Sequence, residues 1–404
     1  MRSIKQNINI LIASVTTLLL VLAGAGNAIA KTINAADCSR NSVASAISTA
    51  SSGDTILIPA GSCTGANRWT SPITISKQNL TIEGAGSSLT TIQANNTSYS
   101  SSDAPIFSTS GSSANGLRVT GIHFLYGTKT FNFTGTGGTS ITRDFRIDHC
   151  KFTGNYMALF TYSGAARGVV DNCEFIDSYG AVIFGDNSAS AKFPMTLGDE
   201  NAVFFEDNTI TDNGGTPHFI ASRLGSRYVI RHNDFHWFSY DPIDAHDDYE
   251  GPTSRGSFTW EVYNNKFYTN TNTPDRLIHM RGGQGVIWGN YVQYNAAFFI
   301  YLTSYMICWG QCSYGESSCN DMINHTYVWG NKRNCGSNME SCPSGTAWVT
   351  TDDCWETERD PLVVGRDYYN TQMPGYTPYT YPHPLRNSAV STPQPPKNVK
   401  IGPQ

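Results

Sequence analysis

An eight-residue phrase recurs through the middle of the chain and constrains the fold more than any other feature. In the stronger copies the third residue is apolar, the fourth is mostly polar, the sixth is Asn or Cys, and the eighth is apolar or aromatic. This pattern is typical of a short strand followed by a turn. The stronger copies are FRIDHCKF from Phe145, GVVDNCEF from Gly168, VFFEDNTI from Val203, YVIRHNDF from Tyr228, WEVYNNKF from Trp260 and GVIWGNYV from Gly285, and weaker copies start at Leu117 and Thr326.

The spacing of these copies predicts a solenoid. Successive sixth positions are separated by 23, 35, 25, 32 and 25 residues, which indicates a coil of somewhat over twenty residues with loop insertions. Because no helical period lies between the phrases, we predict an all-β, single-stranded β-helix whose coils stack their strands in parallel. We expect the Asn at the sixth position to adopt a left-handed backbone and to stack its amide, with Cys150 and Cys173 in the same ladder on adjacent coils.

The start of the chain has the features of a secretory signal peptide. Arg2 and Lys5 precede an apolar run over residues 10–22, and residues 28–30, Ala-Ile-Ala, offer a cleavage site. We therefore expect residues 1–30 to be removed and the mature protein to be secreted, either extracellular or periplasmic. No later run approaches the roughly 20 apolar residues that a membrane span needs, so no span is predicted.

Composition and cysteine content narrow the class further. The formal net charge is −5 and no basic patch with interleaved aromatics occurs, which argues against nucleic acid as a partner. In an exported chain the cysteines outside the ladder are expected to form disulfides, with Cys38 paired to Cys63 and a disulfide-rich C-terminal region; zinc binding is the alternative. The cysteines of that region, whose connectivity is open, are Cys308, Cys312, Cys319, Cys335, Cys342 and Cys354.

Over residues 33–385 the chain resembles the pectate-lyase-like superfamily of right-handed parallel β-helices. The resemblance rests on SVASAISTASSGDTILIPAG from Ser42 and LTIEGAGSSLTTIQAN from Leu80, which are similar to the N-terminal cap and first coil of these secreted proteins. VASAISTA is expected to form a short amphipathic helix that covers the end of the core. We predict one β-helix domain over residues 31–385, with the Tyr- and Pro-rich residues 363–385 packed over its side or last coil, and a flexible tail over residues 386–404.

Strand alternation places the fourth residue of each phrase on the outer face of one sheet, in a single column. Carboxylates in line repel one another unless a cation relieves them, and Ca²⁺ prefers such ligands. The resemblance to pectate lyases implies a calcium site on this face, for which Asp148, Asp171 and Glu206 are the predicted ligands. In the alternative interpretation the column is structural and its acids pair with neighbours such as Arg146. The column consists of Asp148, Asp171, Glu206, Arg231, Tyr263 and Trp288.

Four residues at or beside the basic end of the column are candidates for substrate chemistry. Arg231 is predicted to hold a substrate carboxylate, and Tyr263 and Trp288 are predicted to stack on sugar rings. In the family that the chain resembles, an arginine or lysine often acts as the base. A guanidinium is hard to deprotonate, so His232, His246 and Tyr263 are rival candidates for the base.

A second group of candidates belongs to the insertion over residues 239–255, which is rich in acidic residues. Its acid spacing does not match an EF-hand. His246 is a candidate acid or base, and the alternative is a solvated loop histidine. Arg255 in this insertion and Arg281 beyond it are each followed by Gly and are predicted to contact a polyanion, ordinary surface exposure being the alternative. Arg255 is also a candidate for the catalytic base.

Together with the resemblance, these residues imply a monomeric carbohydrate-active enzyme, a polysaccharide lyase that cleaves an acidic, uronate-containing polysaccharide by β-elimination. The local signature motifs of pectate lyases around the catalytic arginine are absent, so pectate itself is not implied. The alternative enzyme is a glycoside hydrolase of the polygalacturonase type, for which Asp247 and Asp248 are the candidate carboxylates, although its Asn-Thr-Asp and Gly-His-Gly segments are missing. The third possibility is a non-catalytic glycan-binding surface protein.

Overall fold

A computed structural model describes most of the β-helix domain predicted from the sequence. The described ranges are 30–134, 142–162, 166–185, 197–213, 218–236, 241–246, 256–268, 276–293, 300–303, 322–333, 349–351 and 362–387. Residues 1–29 of the predicted signal peptide, Arg255, Asp247, Asp248 and the six C-terminal cysteines lie outside these ranges. The described residues from Thr32 onward belong to one compact unit.

Three parallel sheets wind around one core, because successive coils contribute one strand to each sheet in turn. The first sheet contains Thr32–Asn34, Thr55–Ile58, Thr81–Gly84, Arg118–Thr120, Phe145–Asp148, Gly168–Asp171, Val203–Glu206, Arg227–Arg231, Thr259–Tyr263, Gln284–Trp288, Thr326–Trp329 and Tyr368–Tyr369. The second contains Gly61–Cys63, Thr90–Gln93, His123–Leu125, Lys151–Thr153, Glu174–Ile176, Thr209–Thr211, Asp234–His236, Lys266–Tyr268, Tyr291–Gln293 and Lys332–Arg333. The third contains Ile73–Ile75, Phe107–Ser110, Phe131–Thr134, Leu159–Tyr162, Ala181–Phe184, Ile220–Arg223, Ile243–Ala245, Ile278–Met280, Ile300–Leu302 and Val349–Thr351.

The eight-residue phrase covers a first-sheet strand, a tight turn and the start of a second-sheet strand. Its first and third residues face the core, and its eighth residue forms an aromatic stack there, with the rings of Phe152 and Phe175 4.8 Å apart and nearly parallel. The predicted column is confirmed by the strand register, in which Asp148 pairs with Asp171 and Asp171 pairs with Glu206. The all-β, parallel β-helix predicted from the phrase, with the right hand that the resemblance implies, is therefore the fold of the protein.

The sixth residue of the phrase forms the predicted amide ladder. Asn233 Nδ2 donates to Asn265 Oδ1 at 3.0 Å and also to a backbone carbonyl of the preceding coil at 2.9 Å. The prediction of a left-handed backbone at this position is wrong, because the positive φ belongs to the fifth residue, as in His232 at 57°. The chain turns at that residue, which directs the next side chain inward to bond with the neighbouring coils.

Cys150 and Cys173 occupy the ladder position on adjacent coils, as predicted, and both are buried free thiols. The backbone N–H of Cys173 donates to the side chain of Asn208 at 2.9 Å. The backbone N–H of a ladder asparagine donates in the same way to the side chain of the next asparagine. Each thiol points to a backbone carbonyl of the preceding coil, at 3.8 Å from Cys150 and 3.6 Å from Cys173. The two cysteines therefore continue the ladder without forming a disulfide.

The N-terminal end of the core is covered by the predicted helix, Arg40–Thr49. Ser39 caps it by accepting from the backbone N–H of Ser42, and its apolar face is buried on the first coils. The predicted disulfide between Cys38 and Cys63 is present. Single 3₁₀ turns lie at Gly65–Asn67, Gly111–Ala114 and Pro384–Asn387. No helix in the described part of the chain is long and apolar enough to cross a membrane.

Candidate functional site

The column on the first sheet is covered by residues 376–386, which we call the C-terminal segment. Glu206 and Arg231 are both 0% exposed beneath it. Arg231 donates to the backbone carbonyls of Tyr379 and Thr380 at 2.7 and 2.9 Å, and the N–H of His383 donates to Glu206 at 2.9 Å. The packing over the helix side that the sequence predicts for residues 363–385 is therefore observed for residues 376–385, and the column from Asp148 to Tyr263 is buried.

Arginine side chains form paired hydrogen bonds with the first two carboxylates of the column. Arg118 holds Asp148 through two hydrogen bonds of 2.8 Å, and Arg146 holds Asp171 through two of 2.9 Å. Burial alone raises the pKa of Asp148, but hydrogen bonds from Arg118 and His149 hold it below the usual value. At Asp171 burial dominates and raises the pKa, although Arg146 opposes it.

Two arginines hold the third carboxylate. Arg231 Nε and Nη2 each lie 2.7 Å from Glu206 Oε2, and Arg386 Nη1 lies 2.9 Å from Oε1. Arg386 also lies 3.3 Å from Asp171, so it does not belong to the flexible tail in which the sequence analysis placed it. The acids of the column alternate with arginines from their own sheet and from the C-terminal segment.

This arrangement does not fit the predicted calcium site. The oxygens of Asp148, Asp171 and Glu206 face N–H donors, so a Ca²⁺ ion would have to displace groups that already carry positive charge. Among the residues that the structure describes, no group of three His, Cys, Asp or Glu side chains could hold a metal ion. The alternative interpretation, that the acids pair with neighbouring arginines such as Arg146, matches the observed contacts.

The other candidates of the first sheet are also engaged. Tyr263 is 2% exposed, its hydroxyl accepts from Arg231 at 2.9 Å, and its ring stacks on Trp288 at 4.6 Å. His232 stacks on Tyr381 of the C-terminal segment at 3.8 Å, and burial lowers its pKa. While this segment is in place, a polymer cannot reach Arg231.

A second group of ionisable side chains lies on the outer face of the third sheet, where a six-residue phrase repeats. Its fourth residues pair in register, Asp244 with His279 and His279 with Tyr301. Its sixth residues also lie next to one another on successive coils, because the N–H of His246 and of Arg281 each donate to a carbonyl of the preceding coil. The copies are YGAVIF from Tyr179, HFIASR from His218, DPIDAH from Asp241 and RLIHMR from Arg276. We call the outward residues His218, Asp241, Asp244, His246, Arg276, His279 and Arg281 the third-sheet cluster.

Asp244 is the centre of this cluster and is 1% exposed. Arg281 holds both of its oxygens, with Nε 2.9 Å from Oδ1. Nε2 of His246 lies 2.9 Å from Oδ2, and Nε2 of His218 lies 3.5 Å from the same oxygen. Burial raises the pKa of Asp244, but His246 and Arg281 outweigh it and hold this pKa well below its usual range. Asp244 is therefore a fixed anion that positions its neighbours.

Asp241 organises the adjacent part of the cluster. Its carboxylate accepts from Nδ1 of His279 at 3.0 Å and from Nε of Arg276 at 3.2 Å. Its backbone carbonyl accepts from Nδ1 of His218 at 2.7 Å. The other nitrogen of the His279 ring lies 3.3 Å from the hydroxyl of Thr303, and burial lowers the pKa of this histidine. Asp241 thus orients two imidazole rings at once.

His246 is the member of the cluster best suited to accept a proton. Burial lowers its pKa first, Asp244 opposes this shift, and Arg281 and Arg223 reinforce it. Nε2 faces both the Asp244 carboxylate, which accepts from a protonated Nε2, and the Arg281 guanidinium, which donates to an unprotonated one, so the contacts admit either tautomer. Nδ1 is buried and forms no hydrogen bond with any described residue. Arg281 Nη2, 2.6 Å from Nε2, adds a positive charge that disfavours a second proton on the ring.

The structure thus separates the site residues predicted from the sequence. His246 and Arg281 lie together in the third-sheet cluster, Arg231 and His232 lie on the first sheet, and Arg255 lies outside the described residues. The sequence analysis missed the roles of His218, Arg276 and His279. Aligning the isoleucine that stands third in HFIASR, DPIDAH and RLIHMR would have found them.

No family model and no curated protein matches the chain. Among solved structures, an alginate lyase from Paenibacillus sp. str. FPU-7 is similar at a TM-score of 0.50 and 14% identity, covering 76% of this chain and 97% of that one. A Geobacillus virus E2 protein, ORF18, has a TM-score of 0.43 at 16% identity, covering 84% and 62%. The GH87 α-1,3-glucanase of Streptomyces thermodiastaticus strain HF3-3 has a TM-score of 0.35 at 14% identity, covering 83% and 72%. At such identities the likeness to the alginate lyase shows the shared β-helix fold alone, and the two weaker likenesses carry no argument.

Proposed function

We propose that the protein is a secreted polysaccharide lyase that cleaves a uronate-containing polysaccharide by β-elimination at the third-sheet cluster. The observation that carries this proposal is the geometry of His246, an imidazole with a lowered pKa that Asp244 orients beside Arg281. The alginate lyase of the same fold acts on a uronate polymer, which agrees with the proposal. The Cys38–Cys63 disulfide agrees with export.

The charges of the cluster suit a uronate substrate. Arg276 and Arg281 balance the carboxylates of Asp241 and Asp244, so the cluster is neutral when its histidines are neutral, and Arg223, which acts on His246, adds one positive charge beside it. The side chains of Arg276 and Arg281 are 29% and 14% exposed, so both reach the surface of the cluster, where a substrate carboxylate would bind. A cation beside that carboxylate makes the C5 proton more acidic.

Elimination then follows from the position of His246. The imidazole takes the C5 proton, the electrons of that C–H bond form the C4–C5 double bond, and the C4–O bond breaks. The glycosidic oxygen leaves with the electrons of the broken bond and takes up a proton, either from the imidazolium or from water. Asp244 stays ionised throughout and stabilises the transient imidazolium, as an anion beside a catalytic histidine does.

The carboxyl groups of the described residues favour elimination over the hydrolase alternative, whose candidate carboxylates Asp247 and Asp248 lie outside those residues. A glycoside hydrolase needs a carboxylic acid that stays protonated near neutral pH and reaches the substrate. Among the described residues, carboxyl pKa values are raised at Asp171 and Glu261, and both side chains lie buried near the C-terminal segment. The pKa of Asp244 in the third-sheet cluster is instead lowered.

The test is to incubate the purified protein with a panel of uronate polymers and a neutral glucan. We expect ultraviolet absorbance from unsaturated products on a uronate polymer, and we expect His246→Ala to lower turnover at least about 100-fold. His236→Ala is the matched control, because His236 is a part-exposed histidine of the second sheet that stacks on Tyr268, and its turnover should equal that of the parent.

Other outcomes identify the alternatives. Reducing ends without unsaturated product would mean hydrolysis, and binding without either product would mean a glycan-binding protein. Full activity of His246→Ala would exclude His246 as the base. Because arginines occupy the acids of the column, we also expect a calcium chelator to leave turnover unchanged; a chelator-sensitive activity would restore the calcium assignment.

A further inference from the structure

A row of half-buried aromatic rings leads along the stacked coils to the third-sheet cluster. The ring centroids of Tyr99 and Tyr156 are 5.2 Å apart, those of Tyr156 and Tyr179 are 5.7 Å apart, and those of Tyr179 and His218 are 6.0 Å apart. His218 is itself a member of the cluster and lies 3.5 Å from Asp244. We call Tyr99, Tyr156 and Tyr179 the tyrosine row.

The backbone holds this row rigidly. The N–H of Tyr156 donates to the carbonyl of Gly127 at 2.9 Å and that of Tyr179 donates to the carbonyl of Asn155 at 3.2 Å, so the backbone of both residues is bonded to the preceding coil between the second and third sheets. Tyr99 comes from a loop of an earlier coil that reaches across the intervening one. That loop is tied down by hydrogen bonds to Thr128, including one of 2.9 Å from Asn96. A ligand would therefore meet rings that are already ordered.

The tilt of these rings distinguishes them from the aromatic stack on the first sheet. Trp288 lies at 7° to both Tyr263 and Trp329, so their faces cover one another. Neighbouring rings of the tyrosine row are inclined by 56° to 61°, so they do not cover one another face to face. None of the three tyrosines belongs to the hydrophobic core that the described residues form.

We propose that the tyrosine row binds successive pyranose rings of the polysaccharide chain, which lies along the stacked coils and enters the third-sheet cluster past His218. This inference rests on the proposed function and extends it to the substrate-binding subsites. The apolar C–H faces of pyranose rings pack on aromatic faces, and the coils advance by about 4.8 Å, a step comparable to one sugar unit of an extended chain. Neutral tyrosines add contact area there without repelling a polyanion.

The test measures binding separately from cleavage, in protein that also carries His246→Ala so that the ligand survives. Uronate disaccharides and longer uronate oligosaccharides are titrated calorimetrically into this parent and into variants with Tyr156→Ala or Tyr179→Ala. We expect each variant to bind the longer oligosaccharides about tenfold more weakly, since one aromatic contact is lost, and the disaccharide as the parent does. The matched control is Tyr268→Ala, which removes a part-exposed stacked ring from the second sheet.

Conservative variants keep the test decisive if an alanine variant does not fold. Tyr179→Phe keeps the ring and should bind long oligosaccharides like the parent, whereas Tyr179→Leu keeps apolar bulk without a ring and should bind them weakly. Equal affinity of all variants for long oligosaccharides would overturn the role of the row. If the proposed function itself is wrong, the result is different: the protein with His246 intact forms no unsaturated product.

Discussion

Two sets of ionisable side chains lie on the outside of this β-helix, the first-sheet column and the third-sheet cluster, and they differ in what covers them. On the first sheet, Asp171 and Glu206 are 0% exposed beneath the C-terminal segment. On the third sheet, the side chains of His218, His246 and Arg281 remain 20%, 17% and 14% exposed. Both groups alternate buried acids with bases, but Arg231 in the column is 0% exposed, whereas most bases of the third-sheet cluster reach solvent.

This difference shows that an outward position in a solenoid does not by itself make a surface site. The register of the coils decides which side chains leave the core, whereas coverage depends on chain that is distant in sequence. Arg386, which closes the first-sheet column by binding Glu206, follows it by 180 residues. The column is therefore a structural contact between the coils and the C-terminal segment, and the third-sheet cluster is the candidate for chemistry.

The sharpest test of this contrast is Glu206→Ala. The substitution removes the anion that pairs with the buried Arg231 and with Arg386, so the unfolding free energy should fall by about 3–5 kcal/mol in denaturant titrations. Glu174→Ala is the control, because Glu174 is exposed and pairs with Lys151 at 3.0 Å on the surface; its cost should be below about 1 kcal/mol. Equal costs for the two variants would contradict a structural role for the column.

The next largest effect is a pH dependence of stability that comes from His383 in the C-terminal segment. Burial against Phe204 lowers the pKa of His383 to about 4, whereas the unfolded chain titrates near 6.5. The unfolded state therefore binds the proton first, so this contribution is present above pH 6.5 and is lost as the pH falls toward 4. In His383→Asn, the loss of unfolding free energy between pH 7 and 4.5 should be smaller by about 2 kcal/mol.

His123→Asn tests whether this effect is specific to the C-terminal segment. The pKa of His123, on the second sheet, is also lowered to about 4 by burial, so its variant should flatten the pH dependence by a similar route. Only His383→Asn should in addition make residues 376–386 more susceptible to protease at neutral pH. An unchanged pH dependence in His383→Asn would mean that the histidine is not buried as the structure has it.

The sequence predicted those features that repeat and missed those that depend on a single distant contact. The phrase was sufficient for the coils, for the column from Asp148 to Trp288 and for the amide ladder, because stacking forces equivalent residues together. It could not indicate that residues 376–386 cover this column. The left-handed residue was assigned one position late, since a turn pattern constrains composition more tightly than it constrains backbone angles.

The candidate site was only partly predictable for a related reason. His246 and Arg281 were chosen as an isolated histidine and an isolated Arg-Gly pair, without a structural connection between them. Their partners His218 and His279 belong to third-sheet strands, whose phrase is shorter and whose outward residues vary from coil to coil. A pattern of apolar positions is easily recognised when the polar positions also repeat, and in this sheet they do not.

The smallest predicted effect is the change in unfolding free energy of His246→Ala, which we expect to be small where that of Glu206→Ala is large. Removing the imidazole leaves Asp244 with both hydrogen bonds from Arg281 and with His218 nearby, so no buried charge loses its counterion. The unfolding free energy should therefore change by less than about 1 kcal/mol, measured by the same denaturant titration that is used for Glu206→Ala. Large losses of both stability and turnover in His246→Ala would make the third-sheet cluster structural too. A stable but inactive His246→Ala variant would mean that His246 serves the reaction, whereas Glu206 stabilises the fold.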